Sequence, residues 1–362
     1  MNRKTMILMT SICLIMLIVI FFPPQVVWLH SSDHPAKTHP AKTTHLVKPK
    51  SLTKNGFTYI PISNLEKRWK FVMDMNYIDG KVTFVHNKKK VILLQEIPVM
   101  QINGHFVPIE AGMLKEKNEF WITNESIRQI EKELKDDKNS IHSPAIANQR
   151  IPLNKVVSYL SFLEKPIHGA HVSTKDTQLP GAPRTYRNGV HEGIDWYSYT
   201  TGVEITKNTP VLSMADGVIV RADHEYHEMS EEERDQLLKQ AATLDRTPEY
   251  ILDKLRGRSV WIQYDKGVLA RYVHLDRISD KVKVGDKVKK GQLIGYVGNS
   301  GTSDGVLGNK EGLHLHLDIF IYGEWFWKYY TLDERRSILE KVFPKKLIPY
   351  KVDKAVTPRS KE

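Results

Sequence analysis

Cysteine is almost absent from this 362-residue chain: Cys13 stands alone. A single thiol excludes a disulfide framework or a thiolate zinc cluster within one chain, so any tightly held transition metal must be bound by histidines and carboxylates. Long blocks of one charge are also missing. Lys and Arg total 53 against 42 acids, a formal charge of +11, which fits an anionic partner such as nucleic acid, a membrane surface or a wall polymer without choosing among them. The dispersal of that charge argues against nucleic acid. General disorder is excluded, because 41% apolar residues and seven Trp can bury real cores. The length holds two ordinary domains with connecting sequence.

The longest apolar run is MILMTSICLIMLIVIFF, residues 6–22. It is uncharged and would span about 25 Å as a helix. That is long for the core of a signal peptide, and no A-x-A cleavage site follows. Cys13 lies mid-run without a leucine three residues earlier, which argues against lipidation. Residues 1–30 are therefore expected to form an uncleaved signal anchor, a transmembrane helix, in preference to a cleaved signal peptide or a buried core helix. Arg3 and Lys4 favour a cytoplasmic N-terminus. The expected location is the cell membrane, single-pass, with the remainder extracytoplasmic.

Residues 31–56 repeat HPAKT and continue into KPKSLTKNG, a polar tether without helix or strand period. From residue 57 to 134 short alternating runs such as FTYIPI, KVTFVH and EFWIT surround SNLEKRWKFVMDM. The latter reads as a helix opened by Ser63 with Glu66 completing a capping box. Through YIPI, MNYIDGKVTFVHNKKKVILL and INGHFVPIEAGML this stretch resembles the copper amine oxidase N-terminal-type accessory domain. That resemblance implies a small α+β stalk or binding module but no copper site, and His86 and His105 read as surface or packing residues. A linker over 135–155 follows.

Residues 156–345 are rich in β signals, with a hairpin turn expected at Asp265-Lys266-Gly267 and a tail over 346–362. The expected fold is mainly β, with antiparallel sheets forming a groove. Residues 226–256 interrupt it as a helical insertion. Ser230 and Glu233 read as a capping box, and Thr247-Pro248 as the start of a second helix. The feet of the insertion lie in the sheet, so it is expected to border the groove. Its replacement by a short linker is expected to leave a metal site intact.

The stretch EGLHLHLDIF, residues 311–320, places two histidines in an apolar run. In a strand His314 and His316 share one face about 7 Å apart, while Leu313, Leu315 and Leu317 take the other. Two further stretches, HEGID with His191 and Asp195, and RYVHL with His274, supply the remaining groups. A hydrolytic zinc site needs three imidazole or carboxylate ligands, an open position for water, and a base nearby. His224 and His227 read as a solvated loop, and His168 and His171 as packing residues. Lys289-Lys290-Gly291 resembles the turns of biotinyl and lipoyl carrier domains but lacks their Met-Lys pair.

The ordered set HEGID, MADGVI, YVHL, GQLIGYVGNSG and HLHLDI resembles the lysostaphin-type zinc metallopeptidases that cleave peptidoglycan peptides. The resemblance implies one Zn2+ bound by His191, Asp195 and His316, with His314 as general base and His274 stabilising the tetrahedral intermediate. Tyr186 is a further catalytic candidate. Within that family, LPGAPRTYRNGVHEGIDWY, the insertion and the membrane segment are similar to the sporulation-associated L-Ala-D-Glu endopeptidase type of bacilli. This implies stem peptides as substrate and cell-wall or spore-cortex maturation as setting. The rival expectation is an inactive wall-binding or hydrolase-activating relative, but such proteins usually lose ligands, and all five positions are filled here.

Overall fold

The computed structural model describes residues 51–69, 72–86, 88–135 and 149–345. The apolar run 6–22, the HPAKT tether, most of the 135–155 linker and the tail lie outside them. Among the described residues no helix is long and apolar enough to cross a membrane.

Residues 52–123 fold into a four-stranded and a five-stranded antiparallel sheet, and helix Asn124–Lys135 buries Ile127, Ile130 and Leu134 against the four-stranded one. The helix expected over SNLEKRWKFVMDM is shorter than its sequence suggests, ending at Trp69. Glu66 Oε1 accepts from Met73 N at 3.0 Å, tying down the chain beyond the helix.

The larger domain is built on a seven-stranded antiparallel sheet. Its order is Ile194–Tyr197, His314–Ile321, Val268–Val273, Val260–Tyr264, Gly217–Ala222 and Lys287–Val288, with Glu324–Trp325 also paired to His314–Ile321. A three-stranded sheet of Pro210–Leu212, Leu293–Val297 and Leu275–Ile278 contributes to the same core. Strand alternation explains that core: Leu315, Leu317, Ile319 and Ile321 pack with Ile194, Trp196, Ala270, Tyr272 and Ile262. Helices Leu153–Leu160 and Leu332–Val342 add Val156, Leu160, Ile338 and Leu339. The expected hairpin turn is present, with Lys266 at φ 56° and Gly267 at φ 66°, the left-handed geometry that matches strand twist.

The opposite face of this sheet carries His314, His316, Asp318 and Phe320 from one strand. Cross-strand neighbours of Asp318 extend the row through Arg271 and Trp261 to Arg221. The guanidinium of Arg271 lies 3.8 Å from the Trp261 ring centroid, and that of Arg221 4.9 Å from it. Two elements cover this face. The smaller domain adds Ile97, Val99 and Phe106 to a cluster with Val220, Trp261, Leu269 and Phe320, and Gln263 Oε1 accepts from Phe106 N at 2.9 Å.

The insertion supplies the other cover, leaving after Ala222 and returning into Val260 as helices Glu231–Ala242 and Glu249–Arg256. Ser230 Oγ accepts from Glu233 N at 3.1 Å, as a cap should. The Glu233 carboxylate, however, pairs with Lys254 at 3.2 Å. Leu237, Ala241 and Ile251 join the two helices.

Candidate metal centre

Register assembles the site. In the pairing of Ile194–Tyr197 with His314–Ile321, Asp195 lies opposite His316 and Tyr197 opposite His314, while on the other side Val273, just before His274, lies opposite His316. His191 arrives from the loop before Ile194. Its backbone N–H donates to Ala182 O at 2.7 Å and its carbonyl accepts from Gly181 N at 2.6 Å.

Three atoms then converge. His191 Nε2, Asp195 Oδ1 and His316 Nδ1 stand 2.9 Å from one another. All three residues are at most 5% exposed. Among the described residues this is the one group of three or more histidines, cysteines and acids placed to share a metal ion.

The outer ring nitrogens determine which atoms face inward. His191 Nδ1 donates to Leu179 O at 3.0 Å, so its Nε2 carries the inward lone pair. His316 Nε2 donates to Asp318 Oδ1 at 2.7 Å, which leaves Nδ1 facing the cluster. Burial opposes ionisation of Asp195, but the imidazoles of His191 and His314 outweigh it and hold the carboxyl well below the usual range. On His316 burial again opposes charge, yet Asp318 and Asp195 raise the pKa to about 9, so metal binding there displaces a proton. Two imidazoles and one ionised carboxylate are a donor set that suits Zn2+.

His314 and His274 adjoin this cluster. His314 Nδ1 donates to Gly312 O at 2.7 Å, and its Nε2 lies 3.7 Å from Asp195 Oδ1. His274 Nδ1 donates to Ser300 O at 2.7 Å. Burial depresses both imidazoles; at His274 repulsion from His314 and His316 adds to it and the shift is strong, whereas at His314 burial prevails against the opposing Asp195 carboxylate. Both are therefore neutral at pH 7 with Nε2 unprotonated. His274 sits at φ 59°, an uncommon conformation for a non-glycine residue, between the strand Val268–Val273 and the turn into Leu275–Ile278. Tyr186 is 57% exposed at the rim.

These groups line a cleft of ≈ 240 Å³, whose wall includes Arg184, Arg234, Leu238 and Leu255. Three of those four belong to the insertion, so it does border the groove. The other histidines stay apart: His224 Nε2 donates to Val282 O at 2.6 Å, His171 Nδ1 to Val172 O at 2.9 Å, and His105 packs edge-on against Tyr322.

Sequence reasoning missed three residues here. Tyr197 stacks on His314 with ring centroids 4.2 Å apart. Asp318 had a local signal, since HLHLD puts it two residues beyond His316 and thus on the same strand face. Arg184, whose Nη2 lies 3.6 Å from Asp195 Oδ2, had none.

Residues 189–326, which carry the whole cluster, match the model of Peptidase family M23. An uncharacterized metalloprotease of Buchnera aphidicola is 27% identical over 176 residues, 48% of this chain and 35% of that protein. Peptidoglycan DD-endopeptidase ShyC of Vibrio cholerae is 23% identical over 163 residues, 45% of this chain and 28% of its own. Among solved structures, the catalytic domain of lysostaphin from Staphylococcus simulans is 20% identical, covering 49% of this chain and 90% of that one with a TM-score of 0.23. The chain spans no more than 35% of the length of these curated relatives.

Proposed function

We propose that this chain is a zinc-dependent endopeptidase that hydrolyses peptide bonds in peptidoglycan stem peptides, with L-Ala-D-Glu as the favoured bond. The observation that carries the reading is the convergence of His191 Nε2, Asp195 Oδ1 and His316 Nδ1 on one point of a cleft that also holds two neutral imidazoles. Zn2+ bound by these three residues supplies Lewis acidity to water and to the scissile carbonyl. His314 Nε2 accepts the proton released as water attacks, and the resulting imidazolium returns it to the leaving nitrogen. His274, fixed by its Nδ1–H on Ser300 O, presents an unprotonated Nε2; it would stabilise the oxygen on which charge develops only after taking up a proton there. Tyr186, at the rim, contacts the incoming peptide.

Basic groups in the cleft support the finer choice of bond. Arg187 and Arg256 are occupied by Glu192 and by Glu249 with Asp318, and Arg184 lies 3.6 Å from Asp195, whereas Arg234 forms no ion pair among the described residues and its Nε donates to Gly301 O at 3.4 Å. The acids of the same lining are Glu192, Asp195 and Asp304, of which Glu192 is paired with Arg187. The guanidinium of Arg234, without a carboxylate partner, fits a substrate with a carboxylate beside the scissile bond.

Muropeptides released by the protein from purified peptidoglycan, read by mass spectrometry, decide the matter. A new amino terminus on D-Glu is expected; a terminus elsewhere would redirect the specificity, and binding without cleavage would favour a wall-binding relative. Residues 1–30 are proposed to anchor the enzyme in the membrane with the cleft outside, in a wall- or cortex-maturing role. Protease added to spheroplasts should remove a C-terminal tag, and a soluble mature form beginning near residue 30 would overturn the anchor.

A further inference from the structure

We infer that Arg256, the last residue of the helical insertion, is a positioning residue for the metal centre, holding Asp318 so that Asp318 can hold His316. The inference rests on the proposal that His316 is a metal ligand.

The connections form a closed square of buried charge. Asp318 Oδ1 accepts from His316 Nε2 at 2.7 Å, and Asp318 Oδ2 forms an ion pair with Arg256 Nε at 2.9 Å, without the alignment of a hydrogen bond. Arg256 Nη1 donates to Glu249 Oε1 at 2.8 Å, the same oxygen that Arg271 Nη1 pairs with. Arg271 Nη1 lies 4.0 Å from Asp318 Oδ2, which completes the figure. The side chains of Asp318, Arg271 and Arg256 are 0%, 2% and 6% exposed. Two of the four corners, Glu249 and Arg256, belong to the insertion; the other two are cross-strand neighbours in the catalytic sheet.

A buried carboxylate whose nearest cation is removed is left uncompensated, and it recruits water or a new rotamer. Arg271 cannot substitute, because it stays 4.0 Å away while engaged by Glu249 and stacked on Trp261. Asp318 would then lose the orientation in which it receives His316 Nε2–H, and partners of this kind commonly set metal affinity by about 10- to 100-fold. A second tie runs through the backbone: Arg256 O accepts from His274 N at 3.0 Å. Gly257, at φ 65°, brings the chain so close to Ser300 that a Cβ there would lie 2.4 Å from its carbonyl carbon. One residue at the end of the insertion thus bears on both the His316 and the His274 sides of the cluster.

The insertion is therefore not separable from the metal centre, contrary to the expectation from sequence that a short linker could replace it without loss of zinc. Its excision would remove Glu249 and Arg256 and strand Asp318 and Arg271 in the interior.

The test measures apparent zinc affinity by chelator competition on the full chain, with circular dichroism confirming the fold. Arg256→Gln is expected to bind zinc about 10- to 100-fold more weakly, and Arg256→Lys, which keeps a cation beside Asp318, to recover most of the loss. Folded Arg256→Gln with affinity within twofold of the unaltered protein overturns the inference, as does Arg256→Lys no better than Arg256→Gln. If the single variant does not fold, Arg256→Gln is added to Asp318→Asn; because Arg256 acts through Asp318, the double variant is expected to bind zinc within twofold of Asp318→Asn alone, and a further loss overturns the inference. Zinc bound by the unaltered protein without hydrolysis of peptidoglycan would sink the enzymatic reading alone, whereas no zinc on it would sink the ligand set and this inference together.

Discussion

At the scale of single residues, His314 and His316 are two positions apart and differ in basicity because their outer nitrogens meet different acceptors. His314 donates to a neutral carbonyl and remains a depressed, neutral imidazole; His316 donates to a carboxylate and becomes a stronger base. The consequence is a split in mutant phenotype. His191→Ala, Asp195→Ala and His316→Ala are each expected to lose zinc, since a three-ligand site has no spare donor; stoichiometric zinc in purified His316→Ala would refute the ligand set. His314→Ala should retain zinc and lose about a hundredfold or more in turnover. A metal-free preparation of that variant would exchange the two roles. Tyr186→Phe should keep zinc and lose less turnover than His314→Ala, in keeping with a rim position.

At the scale of elements, the insertion is a wall of the cleft and a source of charge. Arg234 lies on its first helix and lines the groove. Arg234→Ala should lower kcat/KM for stem peptides whose D-Glu carries a free α-carboxylate, and change it little for amidated ones. Equal losses on both would remove Arg234 from substrate recognition. The second helix contributes Glu249 to the interior. Burial works against its ionisation, but Arg256 and Arg271 prevail and depress its pKa. A carboxyl depressed in the folded state stabilises above its unfolded pKa of about 4.3, and that stability disappears as pH falls through the folded value. Glu249→Gln should therefore lower the melting temperature of zinc-free protein at pH 7, with the gap to the unaltered protein closing below about pH 4. A gap independent of pH would mean that packing, not charge, accounts for the loss.

At the scale of the whole molecule, the region read from sequence as a stalk lies against the seven-stranded sheet. Phe106 packs edge-on against Trp261, with ring centroids 6.3 Å apart, and lies 5.8 Å from Phe320. Gly104, at φ 85°, comes so close to Tyr322 that a Cβ would lie 2.3 Å from its carbonyl oxygen. Asp79 pairs with Arg246 of the insertion. These contacts predict one cooperative melting transition for the described domains. Phe106→Ala, a truncation that typically costs about 3 to 5 kcal/mol in a core, should lower that transition or split it in two by calorimetry. Unchanged melting would mean that the shared cluster contributes little.

Local pattern was enough for a good deal of this. Period-two alternation put His314 and His316 on one face and Leu315 and Leu317 on the other, although Leu313 precedes the strand, and the cap at Ser230, the break at Thr247-Pro248 and the turn at Asp265-Lys266-Gly267 were legible because each is a short-range backbone preference. The ordered motifs brought His191, Asp195, His274, His314 and His316 into one reading, and they lie together. The tie from Met73 N to Glu66, seven residues earlier, had no local signal in SNLEKRWKFVMDM. What only the tertiary structure decided is which separated residues meet: the pairing of Asp195 with His316 across 121 positions, the stack of Tyr197 on His314, and the square of Glu249, Arg256, Arg271 and Asp318. Strand register and the docking of the insertion create those contacts. Both are set by burial summed over many residues, so no single stretch of sequence contains them.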